Sequence, residues 1–232
     1  MTVEPIKLSG TRTIPIFPLP LVIMPNELLP LHIFEDKYRD MLADVVRADK
    51  IFGVNLFEPE SEFVDRPASE SAGCAAQIRD FDTQDDGRSN IITLGVTRYR
   101  IIEYLDRGKP YLEAEVEFFN DYFDEDGEAE MLADQVFDIF GRIATAAFKM
   151  SGNQGRLPEI NRGDSEQLSF LVAAAFNFDN DLKYELIEMT STAIRLRRLQ
   201  NILVKMVDQL EESADIHIVS RTNGHSKKKL DL

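Results

Sequence analysis

The pattern of hydrophobic and polar positions changes near residue 120. Upstream, β-branched and aromatic residues occur in short runs separated by turn residues, which is typical of strands. Strands are predicted over residues 14–17, 21–24, 29–33, 52–57, 75–81, 91–96, 100–106 and 111–118. Segments 86–87 and 107–110 are typical of hairpin turns. Many short strands predict a small, mostly antiparallel barrel.

Two features stand out within this strand region. A helix is expected to begin at Glu35 or Asp36, where a carboxylate can cap it. Its apolar positions repeat at helical spacing: Tyr38, Met41, Leu42 and Val45. The first strand region carries prolines at 15, 18 and 20, which suit an edge or crossing strand because proline lacks an amide donor. Its alternating residues are expected to point into the barrel: Phe17, Leu19, Leu21 and Ile23.

After residue 120 the pattern is helical. Residues 121–130 (DYFDEDGEAE) hold six carboxylates, so this segment is expected to stay out of the core, act as a hinge and start a helix. A first apolar stripe follows: Leu132, Val136, Ile139, Phe140, Ile143 and Ala147. Asp164 or Ser165 is expected to cap a second helix, whose apolar stripe is Leu168, Leu171, Val172 and Ala175. Residues 179–187 predict a third, brief helix.

The last helix is predicted over residues 190–213. Its apolar residues form a seam of about two heptads: Leu196, Leu199, Leu203, Met206 and Leu210. This seam predicts either a weak dimer through the C-terminal helix or packing within the chain's own bundle, and the small number of heptads favours the bundle and a monomer. Residues 215–232 show no periodicity and are expected to be disordered.

These patterns predict an α+β fold. A β-barrel subdomain is expected over residues 1–120, an acidic hinge over 121–130, a helical subdomain over 131–214 and a disordered tail over 215–232.

Charge and composition exclude several classes of protein. There are 41 acidic and 26 basic residues, a net charge of -15, which argues against binding to nucleic-acid phosphates or anionic membranes. The N-terminus lacks the pattern of a secretory signal. The apolar run 14–24 is too short to span a bilayer. A single cysteine excludes an internal disulfide, so a cytoplasmic protein is expected.

No catalytic motif occurs in the sequence. The phosphate-binding and dinucleotide-binding glycine patterns, the G-x-S-x-G elbow and the H-E-x-x-H zinc motif are all missing. The three histidines have no metal-ligand spacing. Cys74 is expected to be a small buried hydrophobe, although a nearby histidine would make it a nucleophile. No catalytic residue, cofactor or metal is therefore expected. The alternative is an enzyme whose site the motifs do not reveal.

Residues 14–42, IPIFPLPLVIMPNELLPLHIFEDKYRDML, resemble the opening of the Lon protease N-terminal (substrate-binding) domain family. The family pattern P-L-x-I-F-E-x-x-Y-R is matched by Pro30, Leu31, Ile33, Phe34, Glu35, Tyr38 and Arg39. Segments 52–54, 73–78, 92–101 and 195–199 are also similar to the family. The resemblance covers roughly residues 12–214.

The resemblance implies a PUA-like pseudo-barrel followed by a helical bundle. Full Lon proteases continue into an ATPase module and a Ser–Lys peptidase domain. This chain is expected to contain neither, so the peptidase label would be inherited without ATPase or protease activity.

The motif residues Pro30, Phe34, Glu35, Tyr38 and Arg39 are expected to be structural. Glu35 can cap the helix and pair with Arg39, and the alternative is that both recognise a ligand.

Arg98 and Arg100 flank Tyr99 on a strand. A solvated strand face is expected for them, and the alternative is that they contact RNA through stacking and charge.

The resemblance also implies a function, the capture of apolar or unfolded client segments, or service as an adaptor to a protease or chaperone. Candidate contacts are the aromatic residues Phe57, Phe63, Phe118, Phe119, Tyr122, Phe123, Phe176 and Phe178, each of which could instead belong to the core. The FFNDYF segment at 118–123 is the preferred site, because ligand sites favour domain junctions. The competing hypothesis is an RNA-binding barrel protein.

Overall fold

A computed structural model describes residues 8–58, 65–122, 126–150 and 160–223. The strands are β1 (Gly10–Leu19), β2 (Leu28–Ile33), β3 (Ile51–Leu56), β4 (Ala72–Thr83), β5 (Ser89–Leu105) and β6 (Leu112–Phe119). The helices are α1 (Asp36–Arg47), α2 (Glu128–Met150), α3 (Ser165–Ala175), α4 (Asn180–Glu188) and α5 (Thr192–Asn223). None of the helices in these ranges is long and apolar enough to cross a membrane.

The six strands form one mixed sheet in the order β2-β5-β4-β3-β1-β6. β5 pairs with β6 as well as with β4, so the pairing continues around five strands. Only the β1–β3 pair is parallel. Register shifts interrupt the pairing of β5 with β4 and its pairing with β6. The result is an irregular pseudo-barrel followed by helices, which confirms the predicted α+β fold class.

Three strand predictions need correction. Residues 21–24 form no strand. The runs 91–96 and 100–106 belong to one long strand, β5. β1 is an interior strand rather than an edge strand, because it pairs with β6 over residues 10–16 and with β3 over residues 16–19. Each half of β1 therefore forms backbone hydrogen bonds mainly on one side. Such a strand tolerates prolines, which have no amide hydrogen to donate, because one side needs no donor.

The start of α3 follows the predicted capping, and α4 begins with a similar cap that was not predicted. The Asp164 side chain accepts a hydrogen bond from the backbone amide of Gln167, and the Asp179 side chain accepts one from Leu182. The predicted end of the last helix is wrong, since α5 continues to Asn223 and residues 215–223 are helical rather than disordered. Residues 224–232 lie outside the described residues.

The main hydrophobic core crosses the boundary near residue 120. It combines residues of β1, β3, β4 and α1 with residues of α2, α3, α4 and α5. Leu196, Leu199 and Leu203 are completely buried in it, which agrees with packing in the chain's own bundle. The barrel and the helices are therefore joined by one continuous apolar interior.

A second, smaller core lies around the buried ring of Tyr99. The Tyr99 hydroxyl donates to the Asn55 side-chain oxygen, and the Asn55 amide donates to the Ala72 carbonyl at 3.0 Å. A Cβ atom at position 73 would lie 2.6 Å from both the Tyr99 hydroxyl and Asn55 Oδ1. Gly73 is therefore needed for the close approach of the tyrosine to β4.

We expect Gly73→Ala to lower the free energy of unfolding by about 1–3 kcal/mol, because the added methyl group must displace Tyr99 or Asn55. Gly141→Ala in α2 is the matched control, since a Cβ there meets no atom within 4 Å. It should stabilise the helix by about 0.4–1 kcal/mol. Urea unfolding curves measure both, and equal stability of the two variants would contradict the packing described for Tyr99.

Candidate functional site

Exposed apolar side chains cluster on one face of β2. Leu28 is 62% exposed and Phe34, just after the strand, is 59% exposed. Ile92 on the neighbouring strand β5 is 43% exposed. The His32 ring lies between them and stacks on Phe34 with a centroid distance of 6.0 Å. We call the surface formed by Leu28, Pro30, His32, Phe34 and Ile92 the β2 face.

The local sequence explains why this face is apolar. The strand LLPLHI does not alternate between apolar and polar residues. Leu29, Leu31 and Ile33 pack against the core, so the even-numbered positions must lie on the opposite side of the strand. Leu28 and Ile92 are not among the candidate contacts predicted from the sequence. The missing alternation could have identified Leu28, because a strand that is apolar on both faces exposes one of them unless another element covers it.

The border of the β2 face is acidic. Asp80 and Asp82 of β4 lie opposite Ile92 and Asn90 of β5 in the strand register, and Glu35 is exposed at the other end. Neither Asp80 nor Asp82 has an ion-pair partner among the residues that the structure describes. The apolar surface is therefore bounded on the β4 side by negative charge that has no ion-pair partner among the described residues.

Buried charges join the barrel to the helices. Arg98 Nη2 on β5 donates to Asp121 Oδ1 at 2.6 Å, and Arg195 on α5 donates to the same carboxylate. Arg98 also donates to the Ile187 carbonyl at 3.1 Å, and Arg195 donates to the Met189 carbonyl at 2.9 Å. The side chains of Arg98, Asp121 and Arg195 are 1%, 4% and 0% exposed. We call these three residues the junction cluster.

The junction cluster corrects two predictions. Arg98 is not on a solvated strand face, and Asp121 does not stay out of the core as the acidic segment was expected to do. The Arg98 guanidinium lies 4.6 Å from the Phe119 ring centroid, and that of Arg195 lies 3.9 Å from the Phe170 centroid. These contacts come from elements far apart in the sequence, so the local pattern could not show them.

The protonation equilibria in this region follow from burial and neighbouring charge. Burial acts to raise the pKa of Asp121, but the hydrogen bond and charge of Arg195 and the charge of Arg98 outweigh it, so this pKa lies below 3.8. Burial, together with the charge of Asp121, raises the pKa of Glu166 above 4.5. Burial and the like charge of Arg195 lower the pKa of Arg98, which stays protonated as arginine does in proteins.

The aromatic residues near the junction do not form one surface. Phe118 is buried in the second core, which is a correction to its place among the candidate contacts. Phe119 lies under the guanidinium groups of Arg98 and Arg100. Tyr122 is 78% exposed and lines a cleft of about 540 Å³ beside the junction cluster. The strand and the ion cluster thus cover most of this predicted site.

The remaining candidates that the structure describes are half-buried. Phe57 is half-buried after β3. Phe176 and Phe178 are half-buried and stack at 5.4 Å, and Phe176 also contacts the ring of Phe140 in α2. Phe63 and Phe123 lie outside the described residues.

At the start of α1, Tyr38 makes the core contact expected of it, whereas Phe34 is exposed and the contacts of Glu35 and Arg39 differ from the prediction. Tyr38 packs against the ring of Phe17 at 4.2 Å. Glu35 precedes the helix but its side chain makes no capping hydrogen bond, and it pairs with Lys37 at 3.4 Å. Arg39 pairs with Asp36 at 2.9 Å rather than with Glu35, because Asp36 lies one turn before it on the same helix face.

Arg100, the second of the two candidate arginines on β5, also has an ion-pair and a hydrogen-bond partner. Arg100 lies 3.4 Å from Glu188 and donates to the Glu70 carbonyl. Arg98 is buried and Arg100 makes these two contacts. This part of β5 therefore presents no pair of solvated arginines that could contact RNA.

No group of three or more potential metal ligands is found in the described ranges. Cys74 is completely buried, and burial raises the pKa of its thiol to about 12. A thiol with this pKa is a poor nucleophile at neutral pH, in agreement with its role as a small buried side chain.

Comparison with known proteins identifies the family. A family model described as the ATP-dependent protease La (LON) substrate-binding domain matches residues 13–205. This chain belongs to that family. The match confirms the resemblance seen in the sequence and concerns the substrate-binding domain, not a catalytic domain.

Two relatives of this LON substrate-binding domain are named as Lon proteases. The Lon protease of Azorhizobium caulinodans is 26% identical over 205 residues, which are 86% of this chain and 23% of that protein. Lon protease 2 of Herpetosiphon aurantiacus is 24% identical over 211 residues, 90% of this chain and 26% of that protein. The chain spans about a quarter of the length of these relatives.

Solved structures show the same fold. A Lon N-terminal domain protein from Xanthomonas campestris has a TM-score of 0.57 and 21% identity, with coverage of 81% of this chain and 96% of that chain. The N-terminal domain of the Mycobacterium avium complex Lon protease has a TM-score of 0.61 and 16% identity, covering 83% and 98%.

We expect Asp121→Asn to lower the free energy of unfolding of this LON domain by about 3–5 kcal/mol, because it leaves two buried arginines without their counter-ion. Glu166→Gln is the matched control, since Glu166 lies 3.4 Å from Arg98 at the more exposed rim of the same network. It should change stability by less than about 0.5 kcal/mol. Chemical denaturation at pH 7 compares them.

Asp121→Asn should also change how stability depends on pH. Since the folded pKa of Asp121 lies below 3.8, its contribution is complete at higher pH and is lost as the pH falls through the folded pKa. Denaturation midpoints of the wild type should therefore fall more steeply in acid than those of Asp121→Asn. Parallel acid profiles would contradict the role of Asp121 as the shared counter-ion.

Proposed function

We propose that this chain is a non-catalytic recognition module that binds exposed apolar segments of unfolded proteins on the β2 face. The observation that carries the proposal is the set of large apolar side chains exposed together on one strand and its neighbour. Its family, described as a substrate-binding domain, supports this function.

The expected strength of binding suits transient capture. Fully burying a leucine, isoleucine or phenylalanine side chain contributes about 1.5–3 kcal/mol. Leu28, Phe34 and Ile92 are already partly covered, so a client would bury only the remaining 62%, 59% and 43% of them. Part of this gain is offset by the entropy lost on association. Weak, reversible binding with little sequence preference is therefore expected.

The acidic border favours a client over a second copy of this chain. Two copies that met through the β2 face would bring Asp80, Asp82 and Glu35 of each close to the same residues of the other, and the whole chain carries a net charge of -15. Like charges at an interface oppose association. A neutral or basic apolar segment meets no such repulsion.

The proposal also includes the purpose of client binding. Relatives named Lon protease suggest that binding serves a protease, either with this chain as an adaptor or with this domain beside catalytic modules. This domain would supply recognition and no chemistry, and a cytoplasmic location is part of the same proposal. Tyr122, exposed beside the junction cluster, is a candidate peripheral contact.

We expect serine substitution of Leu28, Phe34 or Ile92 to weaken binding of a reduced, carboxymethylated unfolded protein about three- to tenfold each, because each removes roughly 1 kcal/mol of apolar burial. The control is Ile194→Ser, where the isoleucine is 55% exposed on α5, a helix that packs on α2 and α3. Fluorescence anisotropy measures the affinities, with circular dichroism confirming the fold.

Equal affinity of the wild type and all three β2-face variants would exclude this surface as the binding site. Equal losses in the Ile194→Ser control would show that any exposed apolar residue contributes, and would contradict a localised site.

A further inference from the structure

The outer edge of β2 is free in the described structure. β2 stands first in the strand order and pairs with β5 alone among the described strands. The exposed positions Leu28, Pro30 and His32 run along it. An edge strand with unpaired backbone groups is a template for pairing with another chain.

Two hydrogen bonds show which backbone groups point outward. The Gly95 amide donates to the Glu27 carbonyl at 2.9 Å, and the Thr93 hydroxyl donates to the Leu29 carbonyl at 2.9 Å. Carbonyl groups of the odd-numbered residues 27 and 29 therefore point towards β5. In an antiparallel pair the direction alternates from residue to residue, so the backbone groups of residues 28, 30 and 32 point away from β5.

Pro30 occupies one of these outward positions. It has no amide hydrogen, so the free edge offers donors at Leu28 and His32 and carbonyl acceptors at all three positions. A proline whose nitrogen faces the free side costs the β2–β5 pairing nothing. It also interrupts the row of donors, which prevents unlimited sheet growth along this edge.

We propose that clients bind the β2 face by strand addition. An extended segment pairs with the outward backbone groups of Leu28 and His32, and its apolar side chains on the exposed side lie beside Leu28 and Phe34. This inference rests on the proposed function and names the substrate class: unpaired segments in β conformation with alternating apolar residues. Backbone pairing supplies affinity that does not depend on sequence, which suits the capture of many different clients.

The proposal gives Pro30 a role that can be measured. Pro30→Ala restores the missing donor, so binding of a short fluorescein-labelled peptide of alternating valine and threonine should become about two- to tenfold tighter, as one net hydrogen bond provides. The matched control is Pro110→Ala, the same change in the exposed turn between β5 and β6. It should leave the affinity unchanged.

The His32 amide supplies the opposite test. His32→Pro removes an outward donor and should weaken binding about two- to tenfold relative to His32→Ala, which loses the same imidazole but keeps the amide. Circular dichroism and melting temperatures establish that all variants fold. Equal affinities of His32→Pro and His32→Ala, with no gain in Pro30→Ala, would overturn strand addition.

A modified peptide separates this inference from the proposed function. Methylation of alternate backbone nitrogens should abolish binding in the register whose methylated nitrogens face β2 and should leave binding in the other register, whose methylated nitrogens face away. If wild type binds both methylated peptides as well as the unmodified peptide, apolar capture stands and strand addition is wrong. If none of these peptides binds, and the unfolded protein does not bind either, both proposals are wrong.

Discussion

The shared carboxylate of Asp121 is the contact on which the arrangement of the two halves depends. It accepts hydrogen bonds from a strand arginine, Arg98, and from a helix arginine, Arg195, in a region closed to water. A buried ion cluster of this kind need not be stabilising compared with apolar packing, but it is costly to break. It therefore specifies one way for the helices to sit on the barrel.

The cluster also involves part of the segment that the sequence favours as the binding site. The described part of the FFNDYF segment lies near the junction as expected, yet three of its side chains are already packed within the structure. Phe118 enters the barrel core, Phe119 lies under two guanidinium groups, and Asp121 holds the arginines. The exposed apolar side chains proposed to bind clients lie on the edge strand β2 and its neighbour β5, where no described element covers them.

Much of the secondary structure followed from local rules. The cap at Asp164 and the apolar stripe of Leu196, Leu199 and Leu203 could be predicted because each depends on residues within one or two turns. The strand predictions were less accurate, as β5 merged two predicted strands. Strand pairing depends on partners distant in the chain, so local alternation cannot determine length or register.

The amino-acid sequence alone determined the fold class, the family resemblance and the lack of known catalytic motifs, because these depend on residue types, their order and short-range periodicity. Tertiary structure decided which polar residues are buried and which apolar residues are exposed. Arg98 and Leu28 show the reason: a charged residue is buried when distant elements supply its counter-ion and carbonyls, and an apolar residue is exposed when no element packs on its face. Neither condition is local in sequence.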